Sequence, residues 1–381
     1  MDEHTPSVVV LYNFVGEDVY EKIRNVDPAS LAFQPEYDIH VSTVTEEYKA
    51  VTQALRKEGL RARTMNVKED LKRLENYLRR KNRADVIFNL VEYFHDDPEF
   101  EPHVAALFEL HKVPYTGASP LALALCQKKG LTKQVLTTSG VPTPRYVIAH
   151  DVEAPEHDLA YPLIVKPARE DASSGVSRHS VVHNRGELAA QLVRIETEHD
   201  PPFLVEEFIQ GRELHVSLLG NDPPEVLPPI EFDFSNLPEG YPPIISYAAK
   251  WDPLQEVYHR VHAICPADLT ERAMEKVEDV AARAYAATGC RDYARLDIRL
   301  THEDIPYVLE VNPNPDLTEG VSFMESAEEA GYGWSETLRL IVEWAWERRW
   351  EEEPADETPP PPELHLPSEA MTSDGPRSPD G

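Results

Sequence analysis

Two rhythms of apolar and polar positions run along the chain. In the first, short apolar runs alternate with stretches of helical spacing. Val8–Val15 (VVVLYNFV) reads as a strand, and Glu46–Leu60 places Tyr48, Val51 and Leu55 on one helical face with Gly59 near its end. RARTMNV, from Arg61, predicts a strand. EDLKRLENYLRRKN, from Glu69, predicts a helix with Leu71, Leu74 and Leu78 in register. ADVIFNLVE (Ala84–Glu92) is an apolar strand followed by a helix around PHVAALFELHKV. Strands separated by helices pair in parallel through right-handed crossovers, so this segment predicts a small doubly wound α/β unit.

The rhythm changes after PYTG (Pro114–Gly117). Two helical runs, PLALALCQKK and LTKQVLTTSG, lead into a region of short strands from Tyr161 onward. A long helix, LTERAMEKVEDVAARAYAATG, precedes two further strands, YARLDIRLT and PYVLEVN. The last helix, SETLRLIVEWAWERRW, carries Trp344, Trp346 and Trp350, which read as docking it onto the body or onto a partner in a homodimer. This region predicts an α+β arrangement in two subdomains. From Glu351 the chain is dominated by Pro, Glu, Asp and Ser. Such a segment cannot bury enough apolar surface to offset chain entropy, and disorder is expected.

Composition narrows the function classes. A chain of 381 residues predicts two or three domains. A net charge of −31 excludes nucleic-acid binding through the overall field. The three cysteines, Cys126, Cys265 and Cys290, form no CxxC pair, which argues against a disulfide framework or a cysteine zinc site and fits a reducing cytoplasm. The N-terminus has no basic region and no long apolar run, and no window has the length to cross a bilayer. The expectation is a cytoplasmic protein with no membrane or nucleic-acid partner. The fifteen histidines show no metal spacing, and His215 and His262 read as packing residues.

The candidate chemistry sits where apolar strands end in polar side chains. In YARLDIRLT, Arg295 and Asp297 are two apart; in YVLEVNPNP, Glu310 and Asn312 are two apart. Side chains two apart on a strand share a face. The short link HEDIP predicts an antiparallel hairpin, with Leu296, Ile298, Leu309 and Val311 toward the core and the four polar side chains on the other face. Two neighbouring carboxylates repel unless a positive charge lies between them, and a hard divalent cation takes such oxygen ligands. A solvated face with an Asp–Arg pair fits the same pattern. The prolines of NPNP end the ladder at that point. YPLIVKPAREDASSGVS offers Lys166 at a strand end and then a small-residue loop with Ser173, a combination that suits phosphate and also suits an ordinary surface loop. FLVEEFIQGRELHV offers Glu206 and Phe208 on a strand, a turn at Gly211 and Glu213 beyond it, suited to a base and a ribose or to a plain hairpin.

Taken in order, YTGASPLALALCQKKGLTK, PLIVKPARE, FLVEEFIQGRELHV, GCRDYARLDIRL and LEVNPNPDLT resemble the ATP-grasp superfamily, and within it the D-alanine–D-alanine ligase group. Each motif is loose; five in sequence between Phe88 and Val321 are specific. The resemblance implies a Rossmann-like N-terminal (pre-ATP-grasp) domain over 1–117 and ATP-grasp subdomains over 118–211 and 212–350, ahead of the acidic Pro-rich tail at 351–381. It implies that Lys129, Lys166 and Ser173 hold ATP phosphates, that Glu206, Glu207, Phe208 and Ile209 line the base, and that Glu213 meets the ribose. It assigns Asp297, Glu310 and Asn312 to Mg²⁺ or Mn²⁺, Lys250 to the terminal phosphate and Arg295 to the reacting centre. The implied activity joins a small-molecule carboxylate to an amine through an acyl phosphate, releasing ADP and phosphate. Substrate recognition departs from the group. The glycine-rich loop expected after the first strand reads YNFVGEDVYEKI, with Glu17 or Asp18 as candidate replacements for its acid. VEYFHDDPEFEPH replaces a second glycine-containing loop, Asp316 stands where a glycine is expected, and Val321 where a serine is expected. The favoured reading is a ligase of unknown substrates. An authentic D-alanine–D-alanine ligase with divergent loops, a non-ligase ATP-binding protein and a kinase with the same nucleotide clamp are the alternatives.

Overall fold

The computed structural model describes residues 5–16, 18–170 and 173–350. The tail expected to be disordered, 351–381, and the candidate Glu17 lie outside the described residues. No described helix is long and apolar enough to cross a membrane.

Three sheets follow one another along the chain. The first holds β1 (Ser7–Tyr12), β2 (Arg61–Asn66) and β3 (Val86–Leu90), all parallel, in the order β2-β1-β3. Val8 to Leu11 are fully buried, as a central strand covered on both faces requires. The helix Val44–Lys57 opens with a capping box: the Thr43 hydroxyl accepts from Glu46 N–H while the Glu46 carboxylate accepts from Thr43 N–H. It buries Val51, Ala54 and Leu55 against Val8, Val10 and Phe88. In the helix Leu71–Leu78, Leu74 and Leu78 are buried but Leu71 is exposed, because it is the first residue after the Asp70 cap and stands at the solvent end of the helix. The final helix, Trp334–Glu347, returns to this first core. Leu338, Ile341, Val342 and Ala345 enter it, and Trp344 and Trp346 pack at its edge.

The second sheet holds β4 (Tyr146–Ala149), β5 (Leu163–Pro167), β6 (Val181–Val182) and β7 (Phe203–Glu207), antiparallel in the order β4-β7-β5-β6. The helix Arg185–Ile195 covers one face with Leu188, Leu192 and Ile195. The third sheet holds β8 (Arg212–Leu219), β9 (Glu225–Val226), β10 (Ile230–Asp233), β11 (His262–Ile264), β12 (Tyr293–Leu300) and β13 (Pro306–Asn312). Its order is β11-β10-β8-β12-β13, with β9 also paired to β8. The helix Glu271–Thr288, capped by Thr270 and closed by Gly289 at φ 70°, packs Ala273, Val277, Val280 and Ala284 behind it. This is the expected α/β unit followed by an α+β region.

Two local readings change. FLVEEFIQGRELHV is not a hairpin, because β7 belongs to the second sheet and β8 to the third. The chain crosses between them through Gly211, at φ +147°, where a Cβ would lie 2.1 Å from the Leu300 carbonyl oxygen. The β12–β13 hairpin forms as expected, but its register slips between Asp297 and Ile298. Val308 therefore takes the fully buried place, and Leu309 is half-buried and lines a cavity.

Candidate active site

One wall of the site comes from the second sheet and a helix. Lys129 and Lys133 sit one turn apart on the helix Lys129–Thr138 and so share a face. Lys166 on β5 and Glu206 on β7 are diagonal neighbours, since Glu206 pairs with Ile164. Glu206 is 1% exposed and receives both Lys133, at 2.7 Å, and Lys166, at 2.6 Å. Lys133 also donates to Thr143 Oγ1 at 2.8 Å. Burial pulls Lys133 down to about 8 despite Glu206. Burial opposes the charge of Lys166 too, but Glu206 and Glu310 outweigh it and its pKa ends above the ordinary value. For Glu206, burial is outweighed by the two lysines, and its carboxyl is held low.

The other wall is the polar face of the third sheet. Register sets Arg295 opposite Ser217 and Asn312, Asp297 opposite His215 and Glu310, and Arg299 opposite Glu213. Arg295 makes a bidentate pair with Asp297, at 2.8 and 3.2 Å. Burial works against ionised Asp297, but Arg295 and His215 overcome it and hold the carboxyl well below the usual range. The Asn312 amide lies 3.4 Å from Asp297 Oδ1. Lys129 Nζ reaches Glu310 at 2.6 Å and also bonds the Glu170 carbonyl. Arg299, 2% exposed, donates to Glu213 and to the carbonyls of Gly211 and Pro243, and it lies 5.0 Å from the Phe208 ring centroid. Burial raises the Glu213 carboxyl, and Arg299 opposes that shift.

Nine of the residues singled out in the sequence line one cavity: Lys129, Lys166, Ser173, Glu206, Phe208, Ile209, Glu213, Asp297 and Glu310. Glu207 does not. Strand alternation turns its carboxylate away, toward Ala160 N–H at 3.0 Å and Arg145. Arg295, Asn312 and Lys250 line a second cavity, and Glu310 lines both. Lys250, in the helix Tyr247–Trp251, holds Nζ 5.0 Å from the Trp251 ring centroid. Asp18 is buried and accepts from Tyr20 and Val44 N–H, a capping task within the backbone.

Three side chains at the site escaped the sequence reading. Arg299 follows Asp297 by two residues, so the same alternation exposes it. Lys133 follows Lys129 by four. His215, read as packing, is buried with Nε2 3.5 Å from Asp297 Oδ1 and Nδ1 2.9 Å from Ser322 Oγ. Only the strand pairing reveals it.

Among the described residues, no group of three or more His, Cys, Asp or Glu side chains is gathered as a metal cage. Asp297, Glu310 and Asn312 supply two carboxylates and an amide on adjacent strands. All three can offer oxygen, the donor type of Mg²⁺ sites completed by phosphate, so the residues fit that ion.

The fold is the ATP-grasp fold. The solved structure of D-alanine–D-alanine ligase from Bacillus anthracis complexed with ATP superposes with a TM-score of 0.66 at 20% identity, covering 91% of this chain and 99% of that one. The family described as D-ala D-ala ligase C-terminus matches residues 135–343. A D-alanine–D-alanine ligase of Syntrophotalea carbinolica is 34% identical over 77% of this chain and 88% of its own length. The uncharacterized protein y4sG of Sinorhizobium fredii is 37% identical over 70% of this chain and 76% of its own. The chain belongs to the D-alanine–D-alanine ligase family. It is an ATP-dependent carbon–nitrogen ligase of that family, forming ADP and phosphate.

Proposed function

We propose that the protein joins a small carboxylic acid to an amine in the cytoplasm, and that the pair is not two molecules of D-alanine. The observation that carries this reading is the shared wall: Glu310 lines both the lysine-rich cavity and the neighbouring one that holds Arg295, Asn312 and Lys250. A nucleotide in the first would present its terminal phosphate to substrates in the second.

In this reading Lys129 and Lys166 take the phosphates as point charges, with Ser173 in the loop beyond. Glu206, Phe208 and Ile209 bound the base, and Glu213 meets the ribose with Arg299 fixing its position. Asp297, Glu310 and Asn312 would hold Mg²⁺ or Mn²⁺, which supplies charge neutralisation for phosphoryl transfer. The substrate carboxylate attacks the γ-phosphoryl group and ADP leaves. The amine nitrogen then attacks the acyl carbon, its proton is lost, and phosphate departs with the C–O bond electrons. Arg295 lies at the reacting centre, where its guanidinium stabilises the oxyanion, and Lys250 faces the transferring phosphate. Most of the rate comes from holding charged partners in position.

The departures argue against D-alanine at both substrate positions. Asp316 and Val321 line the second cavity where the family resemblance expects glycine and serine. Steady-state ADP and phosphate release with pooled acids and amines tests the reading: release must require both an acid and an amine. A kinase would release ADP without phosphate, and a nucleotide-binding scaffold would release neither.

A further inference from the structure

A segment from the first part of the chain holds the loop that carries Lys250. Resting on the assignment of Lys250 to the transferring phosphate, we propose that residues 28–42 form a strap latched to His259, and that His259 is a positioning residue that fixes this loop beside the second cavity.

The strap has almost no core of its own. Of the described residues 28–42, only Ile39 is buried, and after the short turn Pro28–Ser30 the backbone forms no helix or strand before Val44. A segment of that kind keeps its place through specific contacts. They converge on two residues. The Glu36 and Tyr37 N–H groups both donate to His259 Nδ1, at 3.2 and 3.1 Å. Glu36 pairs with Arg260 and lies 3.5 Å from His262 Nε2. The Tyr37 hydroxyl lies 2.7 Å from His262 Nδ1, and its ring stacks on His259 with centroids 5.9 Å apart.

The His259 ring joins the strap to the loop. It is fully buried. Because Nδ1 receives two N–H groups it carries no proton, so Nε2 bears the proton and donates to the Pro253 carbonyl at 2.9 Å. One ring therefore ties the strap to the turn that follows the helix Tyr247–Trp251, on which Lys250 sits. The start of that helix is tied elsewhere: Tyr247 N–H donates to the Val176 carbonyl, in the loop beyond Ser173, at 3.0 Å. Lys250 thus stands between a tether to the Ser173 loop and a tether to the strap. Tyr37 itself lines the second cavity with Lys250, Trp251 and Tyr258. Cutting the His259 tether frees one end of the loop and with it the position of Lys250. The side chains assigned to the base and ribose, on β7, β8 and the link between them, keep theirs.

Hydrogen exchange on the full chain, with Mg²⁺ and a non-hydrolysable ATP analogue, reads the latch. His259→Phe keeps a ring and removes the acceptor, so exchange over 28–42 and 246–262 should rise by about tenfold or more while the strands of the third sheet are unchanged. His259→Asn, whose amide oxygen takes the place of Nδ1, should restore most of the protection. Tyr37→Ala, at an exposed position where folding is not at stake, should loosen the same two segments. Calorimetric titration reads the consequence. His259→Phe and Tyr37→Ala should each bind the analogue several-fold more weakly, and bind ADP, which lacks the terminal phosphate, as before. Unchanged exchange in both variants, or equal losses for the analogue and ADP, would overturn the proposal. Lys250→Gln separates the two levels. Loss of the preference for the analogue in Lys250→Gln but in neither latch variant would overturn the proposal and leave the ligase reading standing. An intact preference in Lys250→Gln, with exchange raised over both segments in the latch variants, would sink the Lys250 assignment and leave the latch standing.

Discussion

Glu206 is shared by two buried ammonium groups, and its removal should expose how this wall of the cavity is held together. In Glu206→Gln the strand keeps its shape, but Lys133 and Lys166 lose the charge at 2.7 and 2.6 Å. Breaking a buried pair by deleting one partner typically costs about 3–5 kcal/mol, because the other charge stays behind. Even with Glu206 present, Lys133 sits at about 8 against 10.5, which corresponds to about 3 kcal/mol of opposition to its charge. Without Glu206 its pKa falls further, and shedding the proton becomes cheaper than burying it. The expected loss is therefore about 3 kcal/mol near pH 7. Its pH dependence has a definite sign. A lysine depressed in the folded state leaves the unfolded chain binding more protons between the two pKa values, so the variant regains stability as pH rises through that window. The Glu206 contribution itself is present above the ordinary glutamate pKa and is lost as pH falls through the depressed folded value. Urea unfolding of both proteins at pH 7 and pH 9 measures this, with a smaller difference expected at pH 9. A loss under about 1 kcal/mol at pH 7, or one that grows with pH, would refute the reasoning.

Three further outcomes are expected. Arg295→Ala should lower kcat by roughly 10²–10³ with a smaller change in ATP affinity; an unchanged kcat would remove it from the reacting centre. Glu310→Gln should abolish metal-dependent ADP formation, and near-normal turnover would exclude Glu310 from the ion site. Gly211→Ala should destabilise by more than about 1 kcal/mol in thermal unfolding, since the added methyl meets the Leu300 carbonyl at 2.1 Å and φ +147° suits only glycine; an unchanged Tm would mean the crossing between sheets relaxes freely.

Residue spacing reports which face a side chain occupies, not what it meets there. The period of two in RLD and EVN places Arg295, Asp297, Glu310 and Asn312 together, because an antiparallel hairpin with a short link preserves faces across its turn. The same rule extends to Arg299. It misleads at Leu309, since the one-residue slip after Asp297 exchanges Leu309 and Val308 and no local residue type announces it. The Lys133–Glu206–Lys166 cluster draws on a helix and two strands that are far apart in sequence, so no single motif shows it. His215 looked like packing because its neighbours in RELHVSLL are apolar; only its pairing with Asp297 across β8 and β12 brings it to the site. The link FIQG gives no sign that the flanking strands enter different sheets. The order of the elements was legible where helical and strand periods alternate, as over the first sheet, but the helix Arg185–Ile195 lies within the run read as short strands from Tyr161 onward and was not read.

The central claim is that the substrate acid is activated as an acyl phosphate, and one isotope measurement addresses it directly. The carboxylate found to support turnover is supplied with ¹⁸O in both oxygens, together with ATP, Mg²⁺ and its amine. The account predicts that each phosphate released carries one ¹⁸O from the acid and that the amide product keeps the other. Unlabelled phosphate, with the second ¹⁸O still in the acid or lost to water, would contradict it.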